Sequence, residues 1–492
     1  MSGYSRRTVI CHATAMGALA TIGGLAWAET PPKPMVRVDA TSPQGKAMLR
    51  IYADAVSLMM AMDAKEPLSW TFQWYIHAIP SNATKASELA RIFPTASAAA
   101  TLADVAWSTC EPHFSGTEPN FLPWHRMYVA AFEAIIRAVS KRPDFTLPYW
   151  NYTAPGAARA LPPEFLKKDD PVWGSLYRPN RRNVANNGQP IDSGAGSLPV
   201  NLDAMRATLY TDDGSDAGFC ANLDGNLHGN IHVNVGNGQG MGSVPWAAND
   251  PIFWLHHCNI DRVWASWNRA GGKNPSDADF LNQTFIFASA AGIAAQMSVG
   301  NVLQLAQAGY TYDAYLPRPP GSKPFPKPGA GGFKAVPHAV TSGVSGPITL
   351  GTERSTVALE VVKPAGSSAG FSALMQTLPP GRSAYLRLVG LRTNKDVTGG
   401  YDVYVGLRAG EQPSRNAAAY VGTLNFFGTF MHHDHAAMAG MVAPPGRTIS
   451  FDISAATRKA ITSSGAEVTF IPFGEIAPDD KPTIARIEIV SK

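Results

Sequence analysis

Two groups of three histidines constrain this chain more than any other feature, because both groups have to be brought together by the fold. The chain has 12 histidines, and seven of them lie between residues 77 and 257. The two groups are His77, His113 and His125, and then His228, His232 and His257. Imidazole binds copper, zinc and iron, and a nitrogen donor set without carboxylate or thiolate favours copper. Ordinary core or surface histidines are the alternative for one such pair, but two groups of three argue against it.

Both groups have a characteristic sequence context. His228 and His232 are four residues apart, so on a helix they share one face and can bind one ion. The segment 121–126 reads Phe-Leu-Pro-Trp-His-Arg, and the segment 250–261 reads Asp-Pro-Ile-Phe-Trp-Leu-His-His-Cys-Asn-Ile-Asp. At these residues the chain resembles the type 3 copper family, which comprises tyrosinases, catechol oxidases (polyphenol oxidases) and haemocyanins. That family binds one copper with each histidine group and holds O2 between the two ions.

The resemblance implies a ligand set and a pair of cofactors, the two copper ions. Copper A is expected on His77, His113 and His125, and copper B on His228, His232 and His257. His256, the first histidine of the doublet, is then expected to orient a ligand or the substrate. His113 lies 12 residues before His125, a longer separation than the family pattern has.

The residues around copper B bear on the choice between catechols and monophenols. Gly229 and Val233 follow the first two copper B ligands, so neither offers the polar group that relatives associate with monophenol hydroxylation. Asp224 is the acidic candidate for activating the phenol, and a helix N-cap is the alternative role for it. Val244 lies where several plant relatives carry a bulky Phe, which suggests an open approach to copper A. We expect oxidation of small catechols to o-quinones with O2 to exceed monophenol hydroxylation, and Gly229→Asn to raise the monophenol share.

Two other functional classes use similar residues. A haemocyanin-like O2 carrier would have the same six ligands but a pocket closed to phenols. A copper-handling protein would need a surface rich in His and Met, and the segment 431–441 contains three of each. That segment is interpreted either as a Cu(I)-loading site or as a solvated polar loop. A formal charge of +4 over 492 residues, without a Lys/Arg block, argues against a nucleic-acid partner.

The N-terminus has the pattern of an export signal. Residues 5–10 read Ser-Arg-Arg-Thr-Val-Ile, a twin-arginine pattern, and a small apolar stretch and an Ala26-Trp-Ala28 cleavage site follow. A short membrane anchor is the alternative, although the stretch is short and only weakly hydrophobic. We expect residues 1–28 to direct export to the periplasm or beyond, with no stable membrane association after cleavage.

The spacing of apolar residues predicts a mainly α catalytic domain over residues 29–316. Helices are predicted over 44–62, 66–78, 121–140, 224–234 and 252–269. The segment 145–220 is rich in Pro, Gly, Asn and Asp, which indicates long loops. Four helices that converge on a metal pair are typical of sites in bundle cores. The pair Tyr310 and Tyr312 resembles the paired-tyrosine marker that closes the catalytic domain in this family.

The C-terminal third has a different pattern. Residues 317–349 are rich in Pro and Gly and are predicted to be a linker. Short alternating runs at 356–362, 384–389 and 466–471 then predict a C-terminal β-sandwich over 350–492, which resembles the C-terminal domain of plant polyphenol oxidases. The resemblance implies that this domain covers the copper site as a lid. The candidate covering residues are Phe426, Phe427 and Phe430, and the alternative, for at least two of them, is an ordinary place in the sandwich core.

Three cysteines remain after the expected cleavage, and an odd number cannot be fully paired within one chain. They are Cys110, Cys220 and Cys258. Some relatives link a cysteine to the second copper A histidine, which here implies a Cys110–His113 thioether. A buried free thiol and a Cys110–Cys220 disulfide are the alternatives.

Overall fold

A computed structural model describes residues 34–110, 119–194, 196–326, 339–361, 383–408, 410–430, 446–453 and 466–491. The expected export signal, His113 and the His- and Met-rich segment 431–441 lie outside these residues. Among the helices that are described, none is both long enough and apolar enough to cross a membrane.

The first 280 or so described residues are mainly helical. The α-helices are α1 Pro43–Ala61, α2 Trp70–His77, α3 Lys85–Ile92, α4 Ala98–Ala106, α5 Phe121–Ser140, α6 Asn183–Asn186, α7 Gly218–Leu223, α8 Gly229–Val235, α9 Val244–Ala247, α10 Ile252–Arg269, α11 Ala278–Leu281 and α12 Leu305–Ala308. A π-helical turn, Asp224–His228, joins α7 to α8. Four short strands complete this part: β1 Met35–Arg37, β2 Thr284–Ala288, β3 Ala294–Ser298 and β4 Tyr310–Tyr312.

The predicted helices are present, and the described residues contain seven further α-helices, each shorter than ten residues. The helix expected over 44–62 is α1, whose first turn is capped by the Ser42 side chain accepting from Gly45 N. The helices α3 and α4 were not predicted because each has fewer than ten residues, although Thr84 and Ser97 cap them. The predicted loop region 145–220 holds only short helical turns before α7.

A buried ion network connects the helices α5 and α10. Asp261 on α10 pairs with Arg126 on α5 and lies 3.5 Å from Nη1 of Arg37 on β1. The hydroxyls of Tyr310 and Tyr312 also donate to Asp261 Oδ2, at 2.6 and 2.5 Å. Burial by itself would raise the pKa of Asp261, but the two guanidinium groups and the two phenols outweigh it and hold the pKa below its ordinary value. The paired tyrosines therefore help to fix the two helices that carry histidines.

The C-terminal part is an antiparallel β structure. Its strands are β5 Ala339–Thr349, β6 Ser355–Val361, β7 Ala384–Leu391, β8 Gly400–Val405, β9 Tyr420–Asn425, β10 Arg447–Asp452, β11 Ala466–Phe473 and β12 Thr483–Ser491. Their order is β10-β7-β12-β5-β6-β11-β8-β9. Only two residue pairs join β5 to β6, so the sheet has two four-stranded parts. Side chains from both parts, including Leu386, Val403, Phe470 and Ile487, share one hydrophobic cluster.

The predicted linker, 317–349, is too long at its C-terminal end. Residues 339–349 form β5, which pairs with β12 along its length. The alternation of this strand is hidden in the sequence because Gly343, Gly346 and Pro347 interrupt it. In the following sections, the C-terminal domain means the described residues from 339 onwards.

Replacing Asp261 with Asn is expected to destabilise the protein strongly. The substitution keeps the shape of the side chain but leaves Arg126 buried without its counter-charge, while Arg37 keeps only its pair with Glu133, so the free energy of unfolding should fall by about 3–5 kcal/mol. Asp54→Asn is the matched control, because Asp54 forms an exposed pair with Arg50 and its loss should cost under about 1 kcal/mol. Urea unfolding followed by circular dichroism measures both, and equal effects would contradict the role given to the network.

Candidate metal centre

Four helical segments bring histidine side chains together in the protein interior. The histidines are His77 at the end of α2, His125 in the first turns of α5, His228 at the end of the π-helical turn, His232 on α8, and His256 and His257 on α10. Each of them is at most 3% exposed. Donor atoms of His228, His232, His256 and His257 lie within 4.8 Å of one another, and so do those of His77, Cys110 and His125.

Hydrogen bonds from Nδ1 to main-chain carbonyl oxygens orient three of the imidazoles. His77 Nδ1 lies 3.1 Å from the carbonyl oxygen of Val244, and His125 Nδ1 lies 2.8 Å from that of Phe121. His232 Nδ1 lies 2.7 Å from the carbonyl oxygen of Met241. A ring that donates through Nδ1 keeps Nε2 as its acceptor, and metal-binding histidines are typically fixed in this way.

The fourth imidazole is oriented by a carboxylate. Oδ1 of Asp224 lies 2.9 Å from Nδ1 of His228, one helical turn along the chain. Asp224 lies inside a continuous helical segment and forms no N-cap, so the alternative role considered for it is wrong. Its carboxylate holds a ring of the second group instead.

The two histidine groups face each other closely. The rings of His125 and His257 stack with centroids 4.2 Å apart and planes inclined by 7°. The centroids of His125 and His228 are 6.2 Å apart, and Phe253 packs against His257 at 4.2 Å. The space between the groups is called the histidine pocket below. Two ions bound by the two groups would therefore be neighbours.

The doublet His256-His257 has two different environments. Nδ1 of His256 lies 2.9 Å from the hydroxyl of Tyr152, so only Nε2 of this ring is left for a metal. Among the described residues, neither nitrogen of His257 has a hydrogen-bond partner, and nor does Nε2 of His256. Burial, and then the neighbouring imidazoles, lower the pKa values of His256 and His257 well below the ordinary value. Both rings are thus neutral, as metal ligation requires, and their buried nitrogens fit a bound copper ion.

The sequence matches two family models. Residues 67–193 and 178–270 match the model of the common central domain of tyrosinase, which spans the described histidines of both groups. Residues 339–492 match a domain of unknown function.

Curated relatives agree with the first match. A tyrosinase of Hahella sp. (strain CCB-MM4) is 32% identical over 54% of this chain and 60% of its own length. A chloroplastic polyphenol oxidase of Malus domestica is 27% identical over 58% of this chain and 53% of its own length. Residues 67–270 thus form a domain of the tyrosinase and polyphenol oxidase family. The matched region spans only between half and two thirds of these relatives.

Solved structures share the fold over almost the whole chain. The structure of latent apple tyrosinase has a TM-score of 0.62 at 22% identity, and the match covers 94% of this chain and 98% of that one. A latent aurone synthase, also a polyphenol oxidase, has a TM-score of 0.62 at 19% identity and covers 95% and 91%. The fold shared with these structures therefore includes both the helical part and the C-terminal domain.

The three cysteines of the described residues are buried thiols. Sγ of Cys110 lies 3.7 Å from Nε2 of His125, at the edge of the copper A group. Cys220 instead donates to the carbonyl oxygen of Pro119, so the Cys110–Cys220 disulfide is not formed. Burial raises the pKa values of Cys220 and Cys258 to about 12. The thioether partner considered for Cys110, His113, is outside the described residues.

The predicted pocket residues lie on the copper B side. Val233 and Phe427 are buried in one small apolar cluster, and Val244 packs against it. Phe427 lies over His232, with centroids 4.1 Å apart and planes inclined by 10°. Gly229 faces the side-chain amide of Asn425 in the C-terminal domain. The approach to the histidines that a small residue at 244 suggested is therefore occupied by an aromatic ring.

The other two candidate phenylalanines have different surroundings. Phe426 belongs to the core of the C-terminal domain and packs edge-on against Tyr401. Phe430 forms an isolated bridge with Thr393. Phe427 alone of the three has a ring contact with the histidines among the contacts of the described residues.

Two functional contacts were missed in the sequence. Tyr152, which holds His256, lies in the segment Pro148-Tyr-Trp-Asn-Tyr152, whose run of aromatic residues was the available signal. Arg447 is buried and donates to the carbonyl oxygen of Phe427 at 2.8 Å. A single arginine 20 residues from its partner carries no local signal of this kind.

Replacing His257 with Ala is expected to remove one of two copper ions per chain, because both of its ring nitrogens are available for a metal. His256→Ala is the matched control and should retain both ions with reduced activity, since Tyr152 already holds its Nδ1. Copper content after gel filtration measures both variants. Equal metal loss from the two substitutions would reverse the assignment.

Proposed function

We propose that this protein is a copper-dependent polyphenol oxidase that oxidises small o-diphenols to o-quinones with O2. The observation that carries the proposal is the close approach of two buried imidazole groups, at 4.2 Å between the rings of His125 and His257. In this proposal α2, α5, α8 and α10 frame the metal pair, and the two four-stranded parts of the C-terminal domain pack as a β-sandwich. Export through the twin-arginine signal remains part of the same proposal.

The imidazole groups suit copper and its chemistry. Copper bound at the two groups supplies the electron transfer between phenol and O2, which side chains alone do not provide. His77, His125, His228, His232 and His257 are the described residues proposed to hold the two ions, with His113 completing copper A. An imidazole that binds a metal through a ring nitrogen is uncharged, so the bound ions would keep their positive charge, which would favour the approach of a phenolate oxygen.

The protein contributes orientation and exclusion of water. The carboxylate of Asp224 is already used by His228, so we assign it the orientation of that ring rather than deprotonation of the substrate. The hydroxyl of Tyr152 orients His256 in the same way. Val233 and Val244 form an apolar wall beside His232, against which the substrate ring would pack.

The position and orientation of the Phe427 ring indicate where a substrate ring would bind. Its ring lies parallel to His232, the offset-stacked arrangement that aromatic pairs favour. A catechol that replaces Phe427 would find the same face of His232. In the overall reaction, two catechols each lose two electrons and two protons, and one O2 takes up all four of each to give two water molecules.

An O2 carrier is the second candidate, and the same phenylalanine favours it. With Phe427 over His232, the histidine pocket has no room for a second ring at that face. A carrier would keep this arrangement permanently, whereas an oxidase would have to open it. Sustained turnover of catechol by the copper-loaded protein separates the two functions, and also excludes a protein that only handles copper.

Catechol oxidation is expected to exceed the hydroxylation of tyrosine and tyramine strongly, because neither Gly229 nor Val233 gives a polar contact to a phenol. The absorbance of the quinone products, recorded in parallel for the three substrates with copper-loaded protein, measures the ratio. A monophenol rate comparable to the catechol rate would contradict this preference.

Phe427→Ala is expected to raise catechol turnover several-fold, because the ring that covers His232 is removed. Phe430→Ala is the matched control and should leave turnover near that of the unchanged protein. Cleavage of the linker between residues 320 and 338, before β5, should raise turnover in the same direction. If turnover stays unchanged after the domain is removed and copper is retained, the C-terminal domain serves only folding or stability.

A further inference from the structure

Asn425 is a fully buried polar residue at the end of β9 that contacts the copper B helix. Its Nδ2 donates to the carbonyl oxygen of Gly225 and to Oδ1 of Asn230, both at 2.7 Å. Its Oδ1 accepts from the backbone N–H of Phe427 at 3.1 Å. The amide therefore joins the C-terminal domain to the helical segment on one side and orders its own turn on the other.

The segment that Asn425 contacts is the one that carries His228. Gly225 lies within the π-helical turn and Asn230 lies just after it, so the amide bridges the two ends of this turn. The backbone N–H of Gly229 is shared between the carbonyl oxygens of Asp224 and Asn226. Such widened turns are uncommon and frequently occur at functional sites. Asn425 thus binds the backbone at the position that sets the direction of a proposed metal ligand.

Gly229 is a glycine for reasons of space and not of backbone conformation. Its φ of −61° and ψ of −35° are ordinary helical values that any residue adopts. A Cβ atom at this position would lie 2.7 Å from Oδ1, 3.1 Å from Nδ2 and 3.2 Å from Cγ of Asn425. All three atoms belong to one amide, so the whole side chain of Asn425 fills the place of a side chain at 229.

Hydrogen bonds prevent the amide of Asn425 from moving away from Gly229. Besides these three hydrogen bonds, both its Oδ1 and its main-chain carbonyl oxygen accept from Nη2 of Arg447. Nη1 of that arginine donates to the carbonyl oxygen of Phe427. Burial lowers the pKa of Arg447 to about 10, so the guanidinium stays charged at neutral pH and keeps these bonds. A side chain at 229 would therefore clash with a turn that Arg447 holds in place from its other side.

We propose that Asn425 and Gly229 form the contact that admits the C-terminal domain to the copper B helix, so that the residue at 229 decides whether Phe427 can occupy the histidine pocket. The inference rests on the proposed function for its effect on turnover, but not for the contact itself. Any side chain at 229 excludes Asn425, and Phe427 leaves with it because only one residue separates the two. In this chain, Gly229→Asn then acts first by opening the domain and raises catechol and tyramine turnover together, which replaces the expectation from the sequence that it raises the monophenol share.

The test is a double-mutant cycle with Gly229→Ala and Asn425→Gly in the full, copper-loaded chain. Gly229→Ala should speed proteolysis of the linker about tenfold, equivalent to about 1.4 kcal/mol in the population of the open form. Asn425→Gly removes the obstacle, so adding Gly229→Ala to it should change the rate no further. Additive effects of the two substitutions would overturn the proposal.

Two control variants separate this contact from the general cost of replacing a glycine. A Cβ at Gly225, in the same helical segment, would meet Arg447 only at 3.5 Å, and one at Gly238 would meet nothing within 4 Å. Gly225→Ala and Gly238→Ala should therefore leave proteolysis unchanged, and an increase equal to that of Gly229→Ala would contradict the inference.

The readouts also distinguish failure of the contact from failure of the proposed function. If Gly229→Ala does not fold, rescue of folding by Asn425→Gly supports the contact and lack of rescue overturns it. The proteolysis rate does not depend on catalysis by this protein. If the protein without substitutions does not turn over catechol, the proposed oxidase function is refuted, and the double-mutant cycle still tests the contact. If the cycle behaves as expected but Gly229→Asn shifts the ratio of tyramine to catechol turnover, the assigned role of position 229 is wrong.

Discussion

The buried carboxylate of Asp261 is the interaction on which the geometry of the metal centre depends. It lies one helical turn after His257 on α10, and its partner Arg126 directly follows His125 on α5. Charges in the interior are costly unless they are paired, so this pair tolerates little displacement of one helix along the other. The stacking of His125 on His257 at 4.2 Å is a consequence of that constraint. The structure thus uses a charged pair to place two neutral rings.

A second constraint comes from the loop between α8 and α9. The carbonyl oxygen of Met241 orients His232 of one group, and that of Val244 orients His77 of the other. Main-chain acceptors are not altered by side-chain substitution, so the orientation of these rings depends on the path of the loop. Gly236 allows that path, because a Cβ there would lie 2.4 Å from backbone nitrogens of the loop. One short loop therefore couples the orientation of histidines in both groups.

The C-terminal domain contacts the site through very few residues. Phe427 lies on His232, and the turn that presents it is held by the charged Arg447 and the amide of Asn425. A buried polar turn of this kind is stable only while all its hydrogen bonds are satisfied, and two of them are made to the helical part. The contact is thus well defined when formed, and it is sensitive to small changes at the copper B helix. Such a contact is suited to a domain that dissociates from the site together with Phe427 in one step.

The sequence alone determined the helices that carry the histidines, because their apolar spacing and the fixed four-residue separation of His228 and His232 are local properties. It also determined the family, since the motifs around His125 and His257 are contiguous. The π-helical turn, the Nδ1 acceptors and the partner of His256 were decided by the tertiary structure, because each depends on a residue distant in the chain or on main-chain geometry. The tertiary structure also decided which of three similar phenylalanines reaches the site. Phe426 lies in the sheet core, Phe430 in a bridge and Phe427 over a histidine, and the sequence alone does not distinguish them. Only the packing of β9 against α8, almost 200 residues apart, selects which ring reaches the site and requires a glycine at 229.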